Sequence, residues 1–277
     1  PRIMSMLSGG GIRIMPGYTA LLLAESLASA GMGREALQAL SYATDSFPKT
    51  VMDDLLLTRY KALLCAGALG EATAIRAGVP QSDSVLRSRM LNALGWYRHS
   101  GGIEGWEGAF SESIRLWPSG YIHGPAWRLL RTRILADSSF ASSLADAFYS
   151  GGLWNELYDV AVSAERPPAH LVYLAARTRD RLGYYREACV LLDRYLNRWP
   201  SGPDAENALM YLGLDLARSG LPDSGLAVLD RWEAAFPAST RRGNIPWYRG
   251  SILAESNRWA EAIPHFRRMQ SEFPSNV

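Results

Sequence analysis

Three features of the sequence predict an all-α fold built from a repeated pair of helices. An aromatic–proline–small step recurs as Trp199-Pro200-Ser201, Phe236-Pro237-Ala238 and Phe273-Pro274-Ser275, at a constant spacing of 37 residues. When these prolines are superimposed, small residues coincide (Ala176, Gly213 and Gly250; Ala188, Gly225 and Ala262), and so do large apolar ones (Leu192, Leu229 and Phe266). Small residues recur where two helices approach closely, and large ones where a groove is filled. No segment of comparable length shows the strict alternation and β-branched enrichment of strands.

Residues 1–16 read as a flexible lead-in. Their Ser-Gly-Gly-Gly run at 8–11 lacks the preceding strand, the lysine and the following Ser or Thr of a phosphate-cradling loop. Residues 17–118 carry the same repeat less regularly, with Gly31, Ala36, Phe47 and Pro48 in register and again Gly101, Phe110, Trp117 and Pro118. The match is weaker at Gly67 with Ala72 and at Gly151 with Pro168. Helix-ending turns are predicted at Gly31, Gly67, Gly101, Gly151, Gly183, Gly220 and Asn257, residue types that accept a left-handed backbone. The wide gap between Gly101 and Gly151 leaves room in an irregular segment, 119–168, for one extra helix over 125–137, with Pro125 in its first turn. Residues 169–277 form three regular 37-residue units. In the second, Leu209, Leu212, Gly213 and Leu216 fall on one helical face. A unit of this size cannot bury its apolar face alone, so successive units are expected to stack into one continuous superhelical ribbon.

The 277 residues carry 29 basic and 27 acidic side chains, a net charge of +2 that gives no polyelectrolyte drive toward nucleic acid. The apolar run Tyr18–Gly31 is interrupted by Glu25 and is too short to cross a bilayer, so no transmembrane segment is expected. Cys65 and Cys189 sit singly in apolar helical contexts and read as buried unpaired thiols. The chain begins without an initiator methionine and stops beside a repeat boundary, which reads as a piece of a longer protein.

These residues resemble the tetratricopeptide-repeat family. The resemblance is carried by Gly250, Ala262, Phe266 and Pro274, by Leu209, Leu212, Gly213, Leu216, Gly225 and Pro237, and by Ala188 and Pro200. It implies a right-handed α-solenoid of about seven helix pairs plus the extra helix. Departures are the longer repeat, Trp106 where a small residue belongs, and Pro264 beyond the first turn of its helix, where a kink is expected. The aromatic–proline ending is similar to the bacterial envelope branch of the family, which includes outer-membrane assembly lipoproteins and the helical superhelix of soluble lytic transglycosylases. That likeness implies the periplasm or cell envelope as the compartment. The lysine and asparagine pattern of the family's carboxylate-clamp branch is absent.

No catalytic chemistry is expected from this chain. Ser111-Glu112-Ser113 is similar to the glutamate–serine pair of lytic transglycosylases, but no Gly-Leu-Met-Gln segment follows and the dipeptide falls inside a second helix. His99, His123, His170 and His265 lack metal-ligand spacing, so neither a metal nor a cofactor is expected. An acid-free stretch from Ser113 to Ala136 carries Arg115, Arg128, Arg131 and Arg133 and reads as a solvated face or an anionic contact. His170, Tyr173, Arg177 and Arg181 form one helical stripe. The family likeness places first helices along a concave groove, where this stripe would be joined by Asn207, Met210 and Arg218, and then by Asn244, Trp247 and Ser251. Aromatic, arginine and amide side chains on one strip suit a peptide or protein partner. The expected function is a non-enzymatic interaction scaffold. The alternatives are the non-catalytic superhelix of a lytic transglycosylase or of another multidomain envelope protein, and a sensor arm ahead of an effector domain.

Overall fold

The computed structural model describes residues 16–43, 47–119 and 123–272; the lead-in through residue 15, its Ser-Gly-Gly-Gly run and Pro274 lie outside them. The described residues contain fifteen α-helices, one 3-10 turn and no strand. The chain divides into two compact units, residues 1–127 and 128–277, with the boundary inside α7 (His123–Ala136), the extra helix expected from the irregular segment. In the first unit the elements are α1 (Pro16–Ser29), α2 (Gly33–Leu40), α3 (Lys49–Cys65), α4 (Leu69–Gly78), α5 (Ser84–Ser100) and α6 (Trp106–Leu116). In the second they are α8 (Ser138–Ser150), α9 (Trp154–Ser163), α10 (Ala169–Arg181), α11 (Tyr185–Arg198), α12 (Ala205–Arg218), α13 (Pro222–Ala235), a 3-10 turn (Thr240–Asn244), α14 (Ile245–Glu255) and α15 (Trp259–Glu272).

Seven helix ends share one device. Gly31, Gly67, Gly102, Gly152, Gly183, Gly220 and Asn257 all have positive φ, between 60° and 96°. The residue after each donates its N–H to the carbonyl five positions back, as in Met32 to Leu27 at 2.9 Å, Tyr184 to Arg179 at 2.8 Å and Arg258 to Leu253 at 2.8 Å. This six-to-one hydrogen bond satisfies a carbonyl that the helix end would orphan, and it turns the chain back on itself. At two places the left-handed residue is Gly102 or Gly152 rather than the expected Gly101 or Gly151. In each Gly-Gly pair the first member keeps φ near −85° and closes the helix (−87° and −82°).

Three of the second helices, α6, α11 and α13, stop by a different rule. Proline's ring excludes its predecessor from the α region, and Trp117, Trp199 and Phe236 all leave the helix with φ between −144° and −126° and ψ between 58° and 72°. Two of these aromatics then lie against the ring one turn earlier, Trp199 on Tyr195 at 5.5 Å and Phe236 on Trp232 at 6.0 Å. Buried Tyr195 and Trp232 reach across to the start of α12. The Tyr195 hydroxyl accepts from the Asp204 amide at 3.0 Å, and the Trp232 indole donates to the Glu206 carbonyl at 3.0 Å.

Inside the hairpins the small residues mark where backbones touch. A Cβ on Gly225 would lie 2.4 Å from the Gly213 carbonyl oxygen, and one on Gly250 would lie 2.6 Å from the Phe266 ring. Gly95 meets the Phe110 ring in the same way. Trp106 is accommodated because Gly105, at φ 82°, breaks the backbone just before it. The indole therefore sits half-buried on the first residue of α6, edge-on to His99 and Phe110. Helix α15 runs uninterrupted through Pro264, whose side chain is exposed.

Within each unit the hairpins pack on their neighbours in the chain. In the first, α1 touches α3 and α3 touches α5; in the second, α8 touches α10 and α12 touches α14. A core of the first unit gathers Leu57, Tyr60, Leu63 and Met90. Ser88 of α5 and Ser113 of α6, both fully buried, exchange hydroxyl-to-carbonyl hydrogen bonds at 2.8 and 2.7 Å.

The close contact in the α12–α13 hairpin separates two alanine substitutions by sign. Gly225→Ala should lower stability by about 1–3 kcal/mol through overpacking. Gly108→Ala, with open space around the added methyl, should raise it by up to about 1 kcal/mol through helix propensity. Thermal melting followed by circular dichroism checks both.

Candidate functional site

The stripe expected on the first helices lies in the second unit, and most of it is engaged internally. His170 on α10 places Nδ1 2.9 Å from Asp204 and Nε2 3.0 Å from Asp146 on α8. Burial pulls the imidazole pKa down, but the hydrogen bonds and negative charges of the two aspartates together outweigh burial and hold it above the ordinary 6.5. Tyr173 is 9% exposed and Met210 6%, so both are core residues and not groove surface. Burial raises the Tyr173 hydroxyl to about 12. Their helical spacing was correct, but the stripe's apolar members face the neighbouring helices.

Arg177, Asp180, Asp215 and Arg218 form a cluster joining α10 to α12. The Arg177 guanidinium pairs with Asp180 and lies 3.2 Å from the centre of the Tyr211 ring. Arg218 reaches Asp180 at 2.8 Å and Asp215 at 3.4 Å and leans toward the Tyr185 ring. Asp215 is fully buried, and its Oδ2 meets no hydrogen-bond donor. Desolvation, reinforced by the negative charge of the neighbouring Asp180 carboxylate, raises the Asp215 pKa to about 8 against the pull of Arg218 and Arg177.

The remaining expected residues are more open. Arg181 is exposed, with its guanidinium 5.0 Å from the Tyr149 ring. Asn207 accepts from Arg241, and Asn244 closes the 3-10 turn before α14. Trp247 is 50% exposed and tilts against Phe266 at 5.7 Å. It borders a pocket of about 170 Å³ together with Arg218, Tyr248, Ser251 and Glu255. The structure thus brings Arg218, Trp247 and Ser251 to one place, while His170, Tyr173 and Met210 serve the packing.

The first unit holds a larger hollow, about 550 Å³, that the sequence reading did not single out. Its walls are the first helices: Glu25 from α1, Lys61 and Cys65 from α3, and Arg89, Asn92 and Trp96 from α5. Lys61 approaches Glu25 at 3.8 Å, and Arg89, paired with Asp54 at 2.7 Å, adds a second basic group, so the hollow is lined by one acid and two bases. Asn92 is 8% exposed and its Nδ2 is buried without a partner. Trp96 is 37% exposed. Cys65 is exposed and not buried as expected, because it closes α3 at the hollow, where its thiol contacts the Ala28 carbonyl at 3.5 Å. Cys189 is half-buried, with its thiol pushed up to about 12 by burial. Lys61, Asn92 and Trp96 are drawn from two repeats with imperfect register, so only the spacing of first helices pointed toward them.

Catalytic motifs gain no support from geometry. Glu112 is exposed and faces Arg115 at 3.4 Å, while its neighbour Ser113 is buried in the α5–α6 hydrogen bonds. Of the acid-free stretch, Arg131 pairs with Asp159 at 2.7 Å and Arg133 with Asp137 at 3.3 Å, and Arg128 is exposed. No helix among the described residues is long and apolar enough to cross a membrane.

Removing Arg177 and removing Trp247 should differ in cost. Arg177→Ala leaves the nearly buried Asp180 without one of its partners and should lower stability by about 3 kcal/mol. Trp247→Ala should stay within about 1 kcal/mol, and denaturant titration of the two variants measures the contrast. Among known proteins, no family model matches the chain and no curated protein matches it in sequence.

Proposed function

We propose that this chain is a non-enzymatic interaction scaffold, a right-handed α-solenoid of tetratricopeptide-like helix pairs, and that it takes an extended peptide segment of a partner protein in the hollow of its first unit. The supporting observation is the hollow itself, walled by three consecutive first helices and holding an unpartnered buried amide beside a partly exposed indole. Its volume falls in the range of sites that enclose small ligands or a few residues of peptide. Asn92 would donate to a peptide carbonyl, Trp96 would supply flat apolar surface, and the acidic Glu25 on one first helix with the basic Lys61 and Arg89 on the next two would fix direction. The residues around Trp247 in the second unit form a smaller secondary contact.

The test starts with peptides selected from a displayed library on the full chain. Asn92→Ala and Trp96→Ala should each weaken the selected peptides by roughly tenfold or more, since interface anchors cost about 1–2 kcal/mol or more on truncation. Bound peptide should also slow alkylation of Cys65 and leave that of Cys189 unchanged. Peptides that bind undiminished to both variants, or that leave Cys65 fully reactive, would move the site away from the hollow.

A further inference from the structure

The second unit contains two places where the geometry calls for a proton. At the first, both ring nitrogens of His170 face carboxylate oxygens, at 2.9 and 3.0 Å. A carboxylate only accepts, so both contacts are hydrogen bonds only when the ring is the doubly protonated imidazolium. Its surroundings come from three other elements: Asp146 on α8, Asp204 at the start of α12, and Tyr195 on α11, whose hydroxyl accepts from the Asp204 amide. On α10 itself the neighbour is Tyr173, ring to ring at 6.4 Å.

At the second, Asp180 on α10 and Asp215 on α12 accept from the same Arg218 Nη1, at 2.8 and 3.4 Å, while Asp215 Oδ2 is buried and lacks a donor. One proton retained between the two carboxyls supplies that donor and removes the repulsion of two adjacent buried anions. The groups facing this pair are Arg177 on α10, Arg218 on α12 and, from α11, the Cys189 thiol.

We propose that these two sites form a proton-dependent latch, in which the His170 imidazolium and the proton shared by Asp180 and Asp215 fasten α10 to α8 and α12, and that the latch loosens as pH rises from mildly acidic to mildly alkaline. The signs agree. His170 holds its proton above the ordinary 6.5, so its contribution is complete below that pH and is lost as pH rises through the raised value. Asp215 holds its proton up to about 8 against an ordinary 3.8, so its contribution is complete below about pH 4 and is lost progressively up to about pH 8. His265 on α15, held below 6.5 by burial and by Arg249 and Arg268, has the opposite sign, its contribution being lost as pH falls through that lowered value, and it lies outside α8, α10 and α12. The Cys189 and Tyr173 groups titrate near 12, above this range.

Hydrogen exchange read by mass spectrometry on the full chain tests the latch. After correction for intrinsic rates, protection of α10 and α12 amides should fall by about tenfold or more between about pH 5.5 and pH 8.5. Helices α1–α6 serve as the internal reference. His170→Gln and Asp215→Asn should each reduce the drop, and the double variant should show less than about a twofold change. Equal protection at both pH values in the parent chain, or an undiminished drop in the double variant, would overturn the latch. Should the variants fail to fold, ¹⁵N-histidine spectra of the parent chain decide: a His170 ring protonated at both nitrogens above about pH 6.5 supports it, and a neutral ring at pH 6 refutes it.

Discussion

Every hairpin in the protein depends on disposing of the carbonyls that a helix leaves unpaired at its end. The left-handed residue does this at seven places by letting the next amide reach back over the helix terminus, and the same motion points the chain toward its antiparallel partner. Glycine occupies six of the seven positions because a side chain there costs energy; Asn257 is the exception, with a side chain that tolerates φ of 60°. Once the turn direction is set, the residue seven positions earlier decides how closely the helices meet; it is Ala or Gly in six of the seven hairpins and Tyr60 in the α3–α4 pair. The aromatic–proline step then ends the second helix before it outgrows its partner.

The regular part of this plan was legible because each device requires a particular residue type. Proline forbids the helix at its predecessor, glycine permits the left-handed turn, and Gly213 and Gly225 leave room that any larger residue would fill. The extra helix α7 was legible from spacing alone. Where two residues could serve equally, as in Gly101-Gly102 and Gly151-Gly152, composition did not choose, and the turn fell one residue later than expected. Cys65 shows a related limit. Its apolar neighbours resemble a core context, but its place in the last turn of α3 faces it toward the hollow.

The candidate site was less legible, for an electrostatic reason. Helical spacing correctly aligned His170, Tyr173, Arg177 and Arg181, but it does not reveal which acids the neighbouring helices bring to them. Asp180 and Asp215 sit 35 positions apart and one helix pair away from each other, and Asp146 and Asp204 flank His170 from either side. Arginines that look available in a stripe are thereby committed to carboxylates and tyrosine rings. A buried ion cluster of this kind contributes little net stability, because desolvation offsets most of its attraction. What it does specify is which helices meet and in what register. In the first unit the balance is reversed: the charges are at the rim, and an amide and an indole line the space between helices.

The neighbour-to-neighbour packing within each unit also bears on how the chain reaches this state. Helices touch chiefly those next to them in sequence, so most native contacts close short loops and cost little chain entropy. Hairpins such as α12–α13 can form early and recruit the next pair without waiting for distant segments to meet. The same locality means that each hairpin is held chiefly by the pairs beside it in the chain. Loss of structure is therefore expected to pass from one hairpin to the next along the chain and not to take a whole unit apart at once.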